Sequence, residues 1–347
     1  MFGVKRRRLK SPFRHTSIVW QVNLEDYVIK LAWSPDGQWL AAAAIEGPIT
    51  LFEGATGEMA RVLPGHEFGT TTLAWQPEGD LLASAGQDGQ VRLWDALTGL
   101  ERATRPGGAA WVEHLAWSPS GDVLASAAGK VLRLWSPEGE LRFETGDHSS
   151  TIAGLAWRPK GRDLATIAYG GVTLRTAEAP EQARTFKWKG SSLALAWSPN
   201  GRFIATGDQD STVHFWYSDS GQDLQMWGYP TKVRELSWHH SSRYLATGGG
   251  PTPIVWDCSG RGPEGTKPKM LEQHQDYLTM LAYQHRGPLL ASAGQDGLVV
   301  IWEPEQRQRP MARHEFASPV GQIAWSPDDG RLAVGEEGGL VTVLAVD

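Results

Sequence analysis

One tripeptide, Leu-Ala-Trp or a near copy, begins at Leu31, Leu73, Leu115, Leu155, Leu195, Leu236, Leu281 and Ile323 of the 347-residue chain. The steps are 42, 42, 40, 40, 41, 45 and 42 residues, which defines eight units. Such a period constrains the fold more than any local propensity, because each unit can bury its apolar face only against its neighbours. The second unit, Gly65–Asp95, carries every mark. A turn follows each Trp, as in Ser34-Pro35-Asp36-Gly37, Gln76-Pro77-Glu78-Gly79 and Ser198-Pro199-Asn200-Gly201. Proline second and glycine fourth suit a type I turn between antiparallel strands. A run of small apolar residues comes next, such as Leu81-Leu82-Ala83-Ser84-Ala85 or Leu289-Leu290-Ala291-Ser292-Ala293. A tight turn (Gln87-Asp88-Gly89, Gln295-Asp296-Gly297) then leads into Val91-Arg92-Leu93-Trp94-Asp95 or Val299-Val300-Ile301-Trp302. Short strands bounded by Asp-Gly and Pro-Gly signals predict an all-β repeat.

Through Gly65-His66, Asp88, Trp94-Asp95 and Trp256-Asp257 the chain resembles the tryptophan–aspartate (WD) repeat family of β-propellers. The resemblance covers nearly all residues after 16 and implies four strands per blade. It also implies a hydrogen-bonded set in each blade. His66, Ser84, Asp88 and Trp94 fit it in unit 2, and His274, Ser292, Asp296 and Trp302 in unit 7, each His nine residues before the inner-strand aromatic. A buried His or Asp needs partners, so these residues are expected to tie strands together rather than to catalyse. Other units depart. Unit 4 has His148 and Thr166 but a Tyr169-Gly170-Gly171 turn, with Arg175 at the Trp place. Unit 5 has Thr206, Asp210 and Trp216 but Trp188 at the His place. Unit 6 puts Tyr229 there, and units 1 and 8 have Phe52 and Leu344 at the Trp place. These blades are expected to rest more on packing.

The expected fold is all-β, a closed propeller of four-stranded antiparallel blades. Eight blades account for the eight units, with seven as the alternative. The last unit supplies no fourth strand, so Ser17–Val22 is expected to complete the final blade and clasp the chain's ends together, since radial repetition protects strand edges. Residues 1–16 then form a basic tail and 17–347 a single domain.

Charge divides the same way. Lys5, Arg6, Arg7, Arg8, Lys10 and Arg14 give the tail +6, and the whole chain is −6, so the body carries −12. A basic arm can touch nucleic acid, an anionic membrane surface or an acidic partner, or stay solvated. The acidic body argues against nucleic acid lying across the propeller. The single cysteine, Cys258, excludes an intramolecular disulfide framework and reads as structural. The sequence has no 18-residue apolar span and no signal-peptide core, which points to the cytoplasm.

Candidate binding residues come from one repeated position, six before the inner-strand aromatic. It holds Tyr27, Trp111, Lys232 and Tyr277, in loops that face the upper mouth in WD-repeat propellers. Aromatic and long cationic side chains are the currency of protein-binding hot spots; each could equally cover its neighbouring blade. Trp188 and Tyr229 could extend the patch, though burial suits them better. Three before the aromatic stand Lys30, His114, Glu235, Met280 and Gln322, candidates for the channel lining. Gly260, Gly262 and Gly265 match a dinucleotide fingerprint in letters only, because β-repeats flank them and a proline lies inside. The His239-His240 pair is badly placed to chelate, since adjacent residues of an extended chain point opposite ways. No catalytic, metal or cofactor motif emerges. The expected role is a non-catalytic, monomeric platform for one or more proteins or peptides. Two rivals stand beside it: a ligand-binding or hydrolytic channel, and nucleic-acid or membrane association through the tail.

Overall fold

The computed structural model describes residues 16–24, 26–109 and 111–346. The basic tail, Thr16 apart, lies outside the described residues. Unit 2 shows how each unit is built. Its strands are Thr70–Trp75, Leu81–Gly86, Gln90–Asp95 and Glu101–Pro106, running from inside to outside. Leu73 pairs with Ser84, and Leu82 with Trp94. The Ser34-Pro35-Asp36-Gly37 turn closes by Gly37 N–H to Ser34 O at 2.9 Å, with Gly37 at φ 72°, a conformation a side chain would strain. The Asp36 carboxylate accepts the Ser34 hydroxyl at 2.6 Å.

Among the described residues the strands form seven antiparallel sheets, six of four strands and one of six. This corrects the expectation of eight separate four-stranded blades: the propeller has seven sheets. The cause is a pair of 14-residue strands, Asp163–Thr176 and Arg184–Trp197. The first passes through the Gly170-Gly171 turn, at φ 104° and 123°, as one strand whose pairing with the second shifts register between Tyr169 and Gly171. The second begins as the outer strand of unit 4, with Phe186 opposite Val172, and ends as the inner strand of unit 5, with Trp197 opposite Ile204. Units 4 and 5 are thereby joined in one sheet, whereas loops separate the other neighbours.

The core lies between units. In the second strand of unit 1, Ala41, Ala42 and Ala43 are fully buried although they point alternately to opposite faces. A strand covered on both faces needs small side chains where neighbouring sheets come close, which explains the Ala-rich run. Ala41 and Ala43 pack with Leu73, Leu82 and Trp94 of unit 2. Ala42, on the other face, packs with Val341 and Val343 of the last unit.

The start of the chain adds to the last sheet. Thr16–Asn23 runs antiparallel to Leu340–Val346, from Thr16 opposite Val346 to Asn23 opposite Leu340. Trp20 then reaches across to unit 1. Its Nε1–H donates to Gly54 O at 3.1 Å, and its ring lies 5.7 Å from that of Phe52. Gly57 must be glycine, since a Cβ there would come within 2.5 Å of the indole.

Truncating Trp20 removes this anchor while leaving the strand's backbone pairing intact. Trp20→Ala should cost about 3–5 kcal/mol, read from urea denaturation. Val19→Ala, on the solvent side of the same strand, should stay within about 0.5 kcal/mol. Equal stability of the two variants would show that the indole does not fasten the strand.

Candidate functional site

The polar sets of units 2 and 7 are relays with a fixed direction. Trp94 Nε1–H donates to Ser84 Oγ at 2.8 Å, and Ser84 Oγ lies 2.7 Å from His66 Nε2. The indole can only donate, so the hydroxyl proton is left for the imidazole. His66 Nδ1–H then donates to Asp88 at 2.9 Å, and Asp88 also accepts the amides of Gln90 and Glu67. Unit 7 repeats the pattern: Trp302 to Ser292 at 2.8 Å, Ser292 to His274 at 2.8 Å, and His274 to Asp296 at 3.1 Å. Burial lowers the pKa of both histidines, with the neighbouring carboxylate working against it. Burial would raise Asp88, but hydrogen bonds from His66 and the Gln90 amide outweigh it and lower the carboxyl. A positive His66 would add to that lowering, in conflict with its own depressed pKa. The neutral ring is the state this geometry holds, because neither imidazole has exposed side-chain surface.

The departing units solve the same problem differently. In unit 6 the Tyr229 hydroxyl sits 2.9 Å from Thr247 Oγ1 and accepts Trp256 Nε1–H at 2.9 Å. One phenol thus stands in for the imidazole, and the expectation that unit 6 rests on packing is corrected. Unit 4 keeps His148 on Thr166 at 2.8 Å, but Arg175 turns to Asp147 and to Pro180 O. In unit 5, Trp188 packs against His214 with ring centroids 4.1 Å apart and the planes tilted by 44°, and Trp216 Nε1–H reaches Thr206 at 3.2 Å. Phe52 and Leu344 are buried hydrophobic replacements.

The four loop residues are not equally free. Trp111 is 53% exposed, Tyr277 is 51% exposed, and Lys232 is exposed. Tyr27 is half-buried over the adjoining unit: a Cβ on Gly321 would meet its hydroxyl at 2.9 Å. Lys232 and Tyr277 line one cleft of about 380 Å³ with Glu235 and Gln295. Neither Tyr27 nor Trp111 lines it. Trp227, missed in the sequence, is the most open large apolar side chain among the described residues, at 79% exposure. It lies outside the repeat register, the one signal that could have marked it.

Three of the channel candidates are shifted from their ordinary pKa values. Burial lowers Lys30, lowers His114 with Lys30 adding to the effect, and raises Glu235, whose carboxylate accepts Gly249 N–H at 3.1 Å. Lys30 and His114 therefore share one electrostatic environment. Cys258 is buried, and burial pushes its thiol to about 12, which leaves it inert as a nucleophile. The rings of His239 and His240 lie 4.1 Å apart, tilted by 44°, and burial takes His239 down to about 4.

Ser84→Ala would strand both an indole N–H and an imidazole nitrogen, costing about 1–3 kcal/mol in denaturant unfolding. Ser126→Ala should cost less, since Ser126 Oγ serves Trp135 alone at 2.8 Å. The histidines also set a pH dependence. Their folded pKa values lie below the unfolded value of about 6.5, so the unfolded chain takes up protons first as pH falls. Their contribution is complete above about pH 6.5 and is lost progressively below it. Urea midpoints should drop between pH 7 and pH 5, and the paired change His66→Gln with His274→Gln should flatten that drop. His114, His148 and His314, lowered by the same burial, retain part of the slope.

Comparison with known proteins agrees with the architecture. The family model described as the IFT122 first beta-propeller matches residues 27–261, about two thirds of the chain. The WD domain, G-beta repeat model matches residues 265–303. The chain is 35% identical to the transcription factor unc-37 of Caenorhabditis elegans over 92 residues, 26% of this chain and 14% of that protein. It is 34% identical to the WD repeat-containing protein 26 homolog of Arabidopsis thaliana over 67 residues, 18% of this chain and 11% of that protein. It is 27% identical to the target of rapamycin complex subunit wat1 of Schizosaccharomyces pombe over 135 residues, 38% of this chain and 41% of that protein. The matched stretches thus span less than half of each relative. Among solved structures, the computationally designed Ika8 protein superposes with a TM-score of 0.79 over 93% of this chain and 98% of that one, at 22% identity, which speaks to fold alone. Repeat marks, sheet architecture and family match together make the chain a member of the WD-repeat β-propellers, in the family of the IFT122 first β-propeller.

Proposed function

We propose that the protein is a non-catalytic interaction platform that takes a protein or peptide at one mouth of the propeller. The observation that carries this reading is the exposure of Trp111, Tyr277 and Lys232 at equivalent positions, in loops entering the inner strands of three units. Aromatic rings held by a stiff backbone give contact area at little conformational cost. Lys232 and Tyr277 add a shared cleft, with the Glu235 carboxylate at its side. Tyr27 supports the same rim from a half-buried position.

Two of the relatives, a transcription factor and a subunit of the target of rapamycin complex, are compatible with a platform. The partner needs no cofactor from this chain, and the reading places a monomeric platform in the cytoplasm. No helix among the described residues is long and apolar enough to cross a membrane.

Capture from the native lysate, quantified for the parent and for Trp111→Ala/Tyr277→Ala, tests the reading. A true hot spot loses about 2 kcal/mol or more on truncation, roughly a thirtyfold weakening. Lys232→Ala and Tyr27→Ala map the rim in the same assay. A partner retained in full by all of these variants would move the site away from this mouth.

A further inference from the structure

The largest departure from the repeat lies on unit 4, and it opens a cleft. The cleft has a volume of about 660 Å³, within the range of small-molecule sites. Two substitutions make it. At the Trp place stands Arg175, whose guanidinium bonds Asp147 and Pro180 O and lies 5.7 Å over the Phe143 ring. At the turn, Gly170-Gly171 replaces a residue with a carboxylate. Gly171 admits no side chain, since a Cβ would meet Phe186 O at 1.9 Å. None of the mouth residues lines this cleft, so it is independent of the platform reading.

Its chemistry is one-sided. Arg175, Lys187 and Lys189 face a single carboxylate, Asp147. That makes a positive site on a body whose net charge is −12, taking the +6 tail from the chain's −6. The exposed Tyr169, the half-buried Trp188 and the buried Ala168 give the wall an apolar character. Two N–H groups of the lining, Arg175 Nε and Trp188 Nε1, are buried without an acceptor. Both can only donate, and a buried donor left unpaired carries a desolvation cost that an acceptor would relieve. Arg175 itself is 3% exposed and held by Asp147, so the donor is fixed in place.

We propose that this cleft binds a small organic anion, an aromatic carboxylate or phosphate, with its apolar body against Tyr169 and Trp188 and its oxygens toward Arg175, Lys187 and Lys189. Anionic oxygens answer the excess of donors, and the apolar body answers the walls. Neither half of the molecule alone meets both conditions.

Isothermal titration of the full chain with phenyl phosphate and with benzoate tests the proposal. Inorganic phosphate serves as the anion without a body, and benzyl alcohol as the body without an anion. At least one aromatic anion should bind saturably, and each half-molecule at least tenfold more weakly. The double variant Lys187→Glu/Lys189→Glu changes two exposed side chains and should keep the parent's urea midpoint while losing at least tenfold in affinity. Trp188→Phe, which keeps a ring and removes one donor, should weaken binding without abolishing it. Failure of both aromatic anions to bind overturns the proposal. So does binding that survives the charge reversal unchanged, or inorganic phosphate binding as tightly as phenyl phosphate.

Discussion

A hydrogen bond from an indole to a neighbour's backbone carries the architecture from unit to unit. Trp75 Nε1–H donates to Ala32 O at 2.9 Å, Trp117 to Ala74 O at 3.2 Å, and Trp157 to Ala116 O at 3.0 Å. Trp197 and Trp238 continue the series onto Ala156 and Ala196, and Trp325 onto Ala282. Trp33 of the first unit donates to Ala324 O of the last at 3.0 Å. The tripeptide therefore has a mechanical meaning. Outside units 6 and 7, the Ala carbonyl of a unit accepts from the next unit while its Trp donates to the one before. Each bond contributes only about 0.5–1.5 kcal/mol net, yet each also fixes the distance and rotation between two inner strands. Unit 7 breaks the series with Tyr283, whose hydroxyl has no partner; there the backbone N–H of Tyr283 donates to Ser237 Oγ at 2.8 Å instead.

Rigidity at the centre follows from that spacing. Inner strands held this close leave room only for small side chains in the second strands, and the Ala-Ser-Ala runs supply them. The inner strands carry a recurrent irregularity as well. Register shifts occur between Val28 and Lys30, Thr70 and Thr72, Val112 and His114, Leu278 and Met280, and Val320 and Gln322. A bulge there bends the strand and re-aims the following side chain. At two of these points the skipped residue is a threonine that bonds across to the next unit, Thr71 to Val112 O and Thr279 to Val320 O. Stiffness is thus built into the strands that end at the mouth, which is what a preorganised binding surface needs.

How much of this could be read from letters depends on whether the signal was local. The turns were legible because Ser34-Pro35-Asp36-Gly37 encodes its own geometry. The His66 and His274 sets were legible because the spacing of four residue types repeats in both units. The N-terminal strand was inferred from a deficit, a last unit one strand short, and it lies beside Leu340–Val346. The sheet count was not legible. Whether Lys187–Ser192 bends as a loop or runs straight into the next inner strand depends on pairing with Gly171 on one side and Asp208 on the other. No residue in that segment announces the choice. The burial of Tyr229 was legible but its polar role was not, since a phenol at a histidine's position reads as apolar until Thr247 and Trp256 are seen on either side of it.

Units 1, 4, 5, 6 and 8 depart from the repeat, and they differ in how the blade absorbs the change. A repeat can lose its Trp to Phe52 or Leu344 and simply repack, as the first and last units do. Unit 4 did not repack. An arginine at the Trp place brings a buried charge into a sheet, which is unfavourable unless paired, and the pairing with Asp147 only offsets that cost. A hydrophobic replacement would have been the simpler solution for stability alone. Arg175, paired with Asp147 beside a glycine turn and two exposed lysines, is thus a polar solution at a position that Phe52 and Leu344 fill by packing.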